Sequence, residues 1–183
     1  MRRRLSAERT AAVRQQIQHA IEAVEAALAA NGRGSVGPAP PAPYVANAKY
    51  YVSISPVVNK TTRSSAEIER TVHEAVASRL GELGGYQVAP LGESNGAARA
   101  VIAKRKLKGF YLAVSVDQVD YSEGSLRVRV KIAVFSYPGK DLRGEVPAGA
   151  TLPGARPGDE GAEDQLIGVV ASRAAELFAQ NFR

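Results

Sequence analysis

Two runs decide the fold: Phe110-Tyr111-Leu112-Ala113-Val114-Ser115-Val116-Asp117-Gln118-Val119 and Leu126-Arg127-Val128-Arg129-Val130-Lys131-Ile132-Ala133-Val134-Phe135-Ser136-Tyr137, joined by Ser122-Glu123-Gly124. In the first, Leu112, Val114 and Val116 alternate with Ala113, Ser115 and Asp117; in the second, Leu126, Val128, Val130, Ile132 and Val134 alternate with Arg127, Arg129 and Lys131. A period of two describes strands with one buried and one solvated face. Residues that face each other across an antiparallel pair must point to the same side, so pairing Val116 with Val130 sets the register. It places Ser115 opposite Lys131, Asp117 opposite Arg129 and Val119 opposite Arg127, around a three-residue loop of Ser122, Glu123 and Gly124. One face of this hairpin is then aliphatic and the other basic.

The flanking sequence extends the pattern. Tyr50–Val58 reads as a strand, followed by the loop Asn59–Arg63 and a helix carrying Ile68, Val72, Val76, Leu80 and Leu83, with Ser64 and Glu67 in the form of a capping box. Gly84-Gly85 ends this helix; Tyr86–Pro90 is a short strand and Ala97–Lys106 a second helix. After the hairpin, Tyr137–Lys140 turns the chain into a strand over Leu142–Val146, where Pro147 is expected to stop the ladder. The Gly- and Pro-rich stretch Ala148–Gly161 is expected to be a mobile loop, and a last helix buries Leu166, Ile167, Val170, Ala174, Leu177 and Phe178. The fold class is therefore α/β of the α+β kind: a mixed sheet of about five strands in the order β-α-β-α-β-β-β-α, with helices on one face.

Ahead of this domain, Ser6–Ala30 has the narrow apolar stripe Val13, Ile17, Ile21 (or Ala20), Val24 and Leu28, and ends at Asn31-Gly32. The organisation expected is an amphipathic helix over 1–31, a Gly/Pro-rich linker over 32–48 and the α/β domain over 49–183. Self-association through that first helix is one way to cover its stripe.

In 183 residues there is no Cys, which excludes thiol nucleophiles, thiolate metal sites and disulfides and leaves the redox compartment open. Lys and Arg number 24 against 18 Asp and Glu, a net charge of +6 that favours acidic partners. No run is apolar enough for a membrane span and Met1-Arg2-Arg3-Arg4 leads into no apolar signal core, so the chain reads as soluble, with cytoplasm and periplasm both open. Its start inside a helical pattern leaves a larger parent protein open.

Candidate chemistry is sparse. Gly32-Arg33-Gly34-Ser35-Val36-Gly37 has the spacing of a dinucleotide-binding loop but follows a helix and precedes a Pro run, so it reads as linker. His19 and His73 have no companion ligands and read as surface residues, and no metal site is expected. Thr61–Ser65 sits at a helix start and reads as a capped polar loop rather than an anion site. Asp117 and Asp120 fall on opposite faces by parity, so they form no acid/base pair. No nucleophile–base constellation is visible, and neither catalysis nor a cofactor is expected.

The basic face is the candidate site. Arg127, Arg129, Lys131, Tyr111 and Phe135 share one side of the hairpin and are read as contacts for a protein partner, with Asp117 and Glu145 placed to neutralise part of the charge. Lys104, Arg105, Lys106 and Lys108 add a second positive cluster. An open sheet bearing aromatic and basic residues is also how single-strand nucleic-acid binders work, which is the alternative reading.

The stretch Tyr51-Val52-Ser53-Ile54-Ser55-Pro56-Val57-Val58-Asn59, the helix through Leu80 leading to Gly85-Tyr86-Gln87-Val88, and Lys108-Gly109-Phe110-Tyr111-Leu112 resemble the domain shared by the CsgG-type curli-secretion lipoproteins, the outer-membrane lipoprotein activators of penicillin-binding proteins and the TolB amino-terminal domain. The resemblance covers roughly residues 49–182 and implies a non-catalytic assembly domain in an envelope-associated complex. The chain is also similar to the carboxy-terminal module that follows HEAT-type repeats in some bacterial proteins, which implies that Ser6–Ala30 is the remnant of a last repeat. There is no lipid-attachment Cys, so membrane anchoring is not expected.

Overall fold

The computed structural model describes residues 44–182. The helix and linker expected over 1–31 and 32–48 lie outside them as far as residue 43. The strands are β1 (Tyr50–Ile54), β2 (Val58–Asn59), β3 (Tyr86–Val88), β4 (Lys108–Val116), β5 (Asp120–Ser122), β6 (Ser125–Tyr137) and β7 (Leu142–Pro153); the helices are α1 (Ser65–Leu83), α2 (Asn95–Arg105) and α3 (Glu160–Asn181). They build one mixed sheet in which β1 pairs β3 and β4 in parallel, and β6 pairs β4, β5 and β7 antiparallel. Pro56 splits the first expected strand into β1 and β2, both of which pair with β4.

The hairpin register is as the alternation predicts: Val116 lies opposite Val130, Ser115 opposite Lys131 and Leu112 opposite Val134. Leu126, Val128, Val130, Ile132 and Val134 are all at most 1% exposed. At about 1.5–3 kcal/mol for each aliphatic side chain removed from water, this row alone outweighs any single polar contact on the other face. The turn differs from expectation. Asp120, not Val119, faces Arg127, and Ser122 faces Ser125, leaving a two-residue turn of Glu123 and Gly124. Both have positive φ, 53° and 69°, as a turn matched to the strand twist requires. The ladder therefore slips by one residue between β4 and β5, which turns Tyr121 onto the helix-covered side and puts Asp120 on the same face as Asp117. Parity separates the two aspartates only along an unbroken strand, and the slip before β5 removes that condition.

Helices α1 and α3 cover the aliphatic face, and their buried residues Ile68, Val72, Val76, Leu80, Ile167, Val170, Ala174 and Phe178 join it in one core. Thr71 lies beside Gly168, Ser172 donates to the Ala75 carbonyl and Arg79 pairs with Glu176, so the two helices run parallel and in step. Small residues at Ala75, Gly168 and Ala171 allow the close approach. The expectation of helices on one face holds for these two. Helix α2 is the exception: Ala98 packs with Tyr51, Leu107 and Tyr137 in a second cluster on the opposite side of the sheet. The cause is Tyr51, which points away from the main core and is fully buried only because α2 covers it.

The expected loop Ala148–Gly161 is also corrected. Residues up to Pro153 continue β7 along β6, and only the short stretch from Gly154 to Asp159 connects to α3. Pro147 does not end the ladder. Arg129 accepts a bond from the Asp117 amide, so odd residues of β6 direct their backbone groups to β4 and even residues direct theirs to β7. Pro147, opposite Lys131, thus turns its nitrogen outward, where no ladder bond is lost. The capping box is not formed: Ser64 makes no side-chain cap, and Glu67 turns instead to Arg63 at 3.3 Å.

Candidate functional site: the uncovered face of the sheet

Beyond α2, no element among the described residues covers the side of the sheet opposite α1 and α3. Arg127, Arg129 and Lys131 stand there on alternate residues of β6, all exposed. Each is held upright by the buried residue on either side, so the aliphatic core fixes the cationic row. Asp117 approaches Lys60 at 2.9 Å and Lys131 at 3.8 Å. The Lys60 hydrogen bond, followed by the charges of Lys131, Lys60 and Arg129, holds its carboxyl below the ordinary carboxylate range despite partial desolvation. Lys131 is therefore partly neutralised, as the sequence led us to expect of Asp117. Asp120 faces Arg127 across the ladder and accepts from Ser122 at 3.3 Å, while Glu145 stands on β7 opposite Ala133. Among the described residues Arg127 and Arg129 enter no ion pair within 4 Å, which leaves the cationic surplus of this face at those two positions.

Tyr111 and Phe135 are paired in register and meet edge to face at 6.4 Å between ring centroids. Both are half-buried, because Tyr111 also stacks on Tyr137 at 6.1 Å and joins the cluster beneath α2. The face thus grades from charged at the turn end to aromatic at the α2 end, with the small pair Ala113 and Ala133 between.

The second positive cluster is divided between different surroundings. Arg105 bonds to Gln87 and to the Val45 carbonyl and lies 4.5 Å over the Tyr44 ring. Lys106 is the left-handed cap of α2, with φ 54°. Lys108 reaches over the rings of Phe110 and Tyr50, at 5.2 and 6.0 Å, on the helix-covered side of the sheet. Lys104 is exposed on α2. Arg105 is thus engaged with Gln87, Val45 and Tyr44, and Lys108 lies on the face of the sheet opposite Arg127 and Arg129.

Sequence reading missed one charged cluster. Arg63, with a side chain only 10% exposed, lies within 4.0 Å of Glu67, Glu160, Glu163 and Asp164 and donates to the Glu160 carbonyl at 3.1 Å. Burial opposes its charge, but the surrounding carboxylates hold its pKa above the usual value. Glu163 is 4% exposed and accepts from the Tyr121 hydroxyl at 2.7 Å. Acidic residues at a helix start are ordinarily accounted for by the helix dipole, so Glu160, Glu163 and Asp164 do not by themselves point to Arg63. His73 is half-buried with Nε2 2.9 Å from the Ala89 carbonyl, a structural contact rather than a purely surface one. Among the described residues no group of three or more His, Asp or Glu side chains could hold a metal ion, and no helix is long and apolar enough to cross a membrane.

No family model matches the sequence, and no curated protein matches it. Solved structures do. The PelC dodecamer from Paraburkholderia phytofirmans is 11% identical, with 73% of this chain and 90% of that one covered and a TM-score of 0.44. A hypothetical protein from Chlamydia trachomatis is 14% identical over 73% and 95% of the two chains, with a TM-score of 0.47. A lipoprotein from Neisseria meningitidis is 15% identical over 73% and 99%, with a TM-score of 0.40. Likeness at this level says nothing of activity or partner. It does correct the resemblance drawn from the sequence: the neighbours are PelC and bacterial lipoproteins, not CsgG-type, TolB amino-terminal or HEAT-repeat modules. The quoted motifs were generic to a β-α-β unit. Gly85-Tyr86-Gln87-Val88 is a helix stop entering β3, and Tyr51–Asn59 is two strands parted by Pro56.

Proposed function

We propose that this domain is a non-catalytic interaction module that docks an acidic protein partner on the uncovered face of its sheet. The observation that supports it is the exposure of Arg127 and Arg129, without an ion pair among the described residues, on a strand whose other side is sealed in the core. Charges at exposed rims act mainly through steering and orientation, so the partner is selected by complementary charge placed on a fixed ladder. The aromatic end, at Tyr111 and Phe135, supplies apolar contact area beside it. The same proposal carries the envelope-associated setting, which fractionation of the source cells tests.

Fluorescence anisotropy with a labelled acidic peptide tests the docking face. The expected result is saturable, salt-sensitive binding that the double substitution Arg127→Glu, Arg129→Glu weakens by about tenfold or more, roughly 1.4 kcal/mol. Because both side chains are exposed, the melting temperature is expected to stay within about 2 °C. Unchanged affinity in the double variant excludes this face. Tighter binding of labelled oligo(dT), with a steep salt slope removed by the same substitutions, would support a nucleic-acid binder instead.

A further inference from the structure

Strand β7 is the outer strand on its side of the sheet: it pairs with β6, and among the described residues no strand pairs with its other edge. The alternation established at Arg129 and Asp117 assigns the direction of the backbone groups from Gly144 to Pro153, beyond the register shift at Val134/Phe135. Ala148 and Ala150, opposite Val130 and Val128, bond inward to β6, and Glu145, Pro147, Gly149, Thr151 and Pro153 turn their carbonyls, and any N–H they have, outward. Two of these five are prolines and lack the donor. The edge can therefore exchange N–H and C=O bonds at Gly149 and Thr151 as a pair, in a window closed by Pro147 on one side and Pro153 on the other. Prolines in an edge strand are a device against indiscriminate pairing; here they leave a short gap rather than a closed edge.

The gap coincides with the charge. Gly149 is the cross-strand partner of Arg129 and Thr151 that of Arg127. These are non-hydrogen-bonded pairs, in which side chains come closest. A Cβ built on Gly149 would meet Arg129 Cγ at 3.6 Å and the Val128 carbonyl at 3.3 Å, so the stem of Arg129 lies alongside the glycine and no side chain at 149 blocks the way to the edge. An added strand would lie about 4.8 Å beyond β7, and its residue opposite Gly149 would project onto the open face, across the glycine from Arg129.

We propose that β7 takes an extended acidic segment of a partner as an added strand between Pro147 and Pro153, with alternate carboxylates meeting Arg129 and Arg127. This deepens the docking reading above and rests on it. Backbone bonds supply adhesion and the arginines choose the sequence, the division of labour common to strand addition.

The test uses the full chain and a fluorescein-labelled peptide of alternating aspartate and valine, in three forms: unmethylated, N-methylated on its aspartate amides, and N-methylated on its valine amides. In the proposed geometry the aspartate amides bond to the edge and the valine amides point away. Methylation at aspartate is expected to weaken binding by about tenfold or more, and methylation at valine by less than about twofold. Gly149→Pro, which removes the outward donor as Pro147 and Pro153 already do, is expected to give a similar loss; Thr151→Pro replaces it if that variant does not fold. If both methylated peptides bind alike while Arg127→Glu, Arg129→Glu abolishes binding, the peptide lies on the face and strand addition is overturned with the docking reading intact. If the unmethylated peptide does not bind, or the charge reversal leaves its affinity unchanged, the docking reading falls and this one with it. Self-association of the chain that Gly149→Pro breaks would make a second copy the occupant and overturn the acidic segment.

Discussion

At the scale of single residues, what matters most is where a charge ends up relative to water. Arg63 is nearly sealed among Glu67, Glu160, Glu163 and Asp164, and it ties the loop after β2 to the starts of α1 and α3. Replacing it by Met leaves Glu163 buried without its cation, which is expected to cost about 3–5 kcal/mol and to be read as a lower midpoint in urea unfolding. Arg127 and Arg129 are solvated and their loss costs little stability, so the two sets of arginines separate structural from docking roles by one measurement. Tyr121 carries a pH signature. Burial, then its hydrogen bond to Glu163 and the charge there, push its hydroxyl up to about 12 from the ordinary 10.0. With the folded value raised, this stabilisation is complete below pH 10 and is lost as the pH climbs toward 12, because the unfolded tyrosine ionises first. Tyr121→Phe is expected to flatten that part of the melting temperature–pH profile, and an unchanged slope between pH 10 and 12 would contradict the assignment. Alternation continued unbroken from β4 would put Tyr121 on the other face, so its position in the sequence does not point to this role.

At the scale of elements, the edge of β7 and the seam between α1 and α3 make opposite demands on small residues. Pro147 and Pro153 interrupt the outward ladder. Replacing both by Val restores two outward donors in a β-branched context and is expected to raise the share of dimers and larger species in sedimentation velocity. If the double variant stays as monodisperse as the parent, the prolines do not guard this edge. In the seam, Gly168 lies within α3, and the nearest atom of another described element that a Cβ there would meet is Thr71 Cγ2, at 4.0 Å. Gly168→Ala is therefore expected to stabilise the chain by about 0.5–1 kcal/mol through lower backbone entropy in the unfolded state, measured by thermal or urea unfolding. The helices themselves were legible from their spacing: Ile68, Val72, Val76 and Leu80 are all fully buried. The extent of β7 was not, because glycine and proline weigh toward loop unless one knows which way each backbone group faces.

At the scale of the whole molecule, a core of aliphatic and aromatic residues runs unbroken from β1 to α3 on one face, and a smaller one under α2 seals the other face at the β1 end. The residues named in both lie in the described part of the chain. A chain cut to residues 44–183 is accordingly expected to keep the far-ultraviolet spectrum of its elements and a cooperative melt, and a broad, non-cooperative transition would show that the core needs the preceding segment. The alternation of Val, Leu and Ile with Arg and Lys by itself determined the β4–β6 pairing, its register and the identity of the solvated row, because a one-residue slip there would drive a whole apolar row into water. Three things were decided only in three dimensions. The ladder slips by one residue before β5, α2 crosses to cover Tyr51, and Arg63 draws in carboxylates 97 to 101 positions away. Each depends on contacts between segments distant in the chain, where local periodicity carries no information and the burial of one particular side chain settles the outcome.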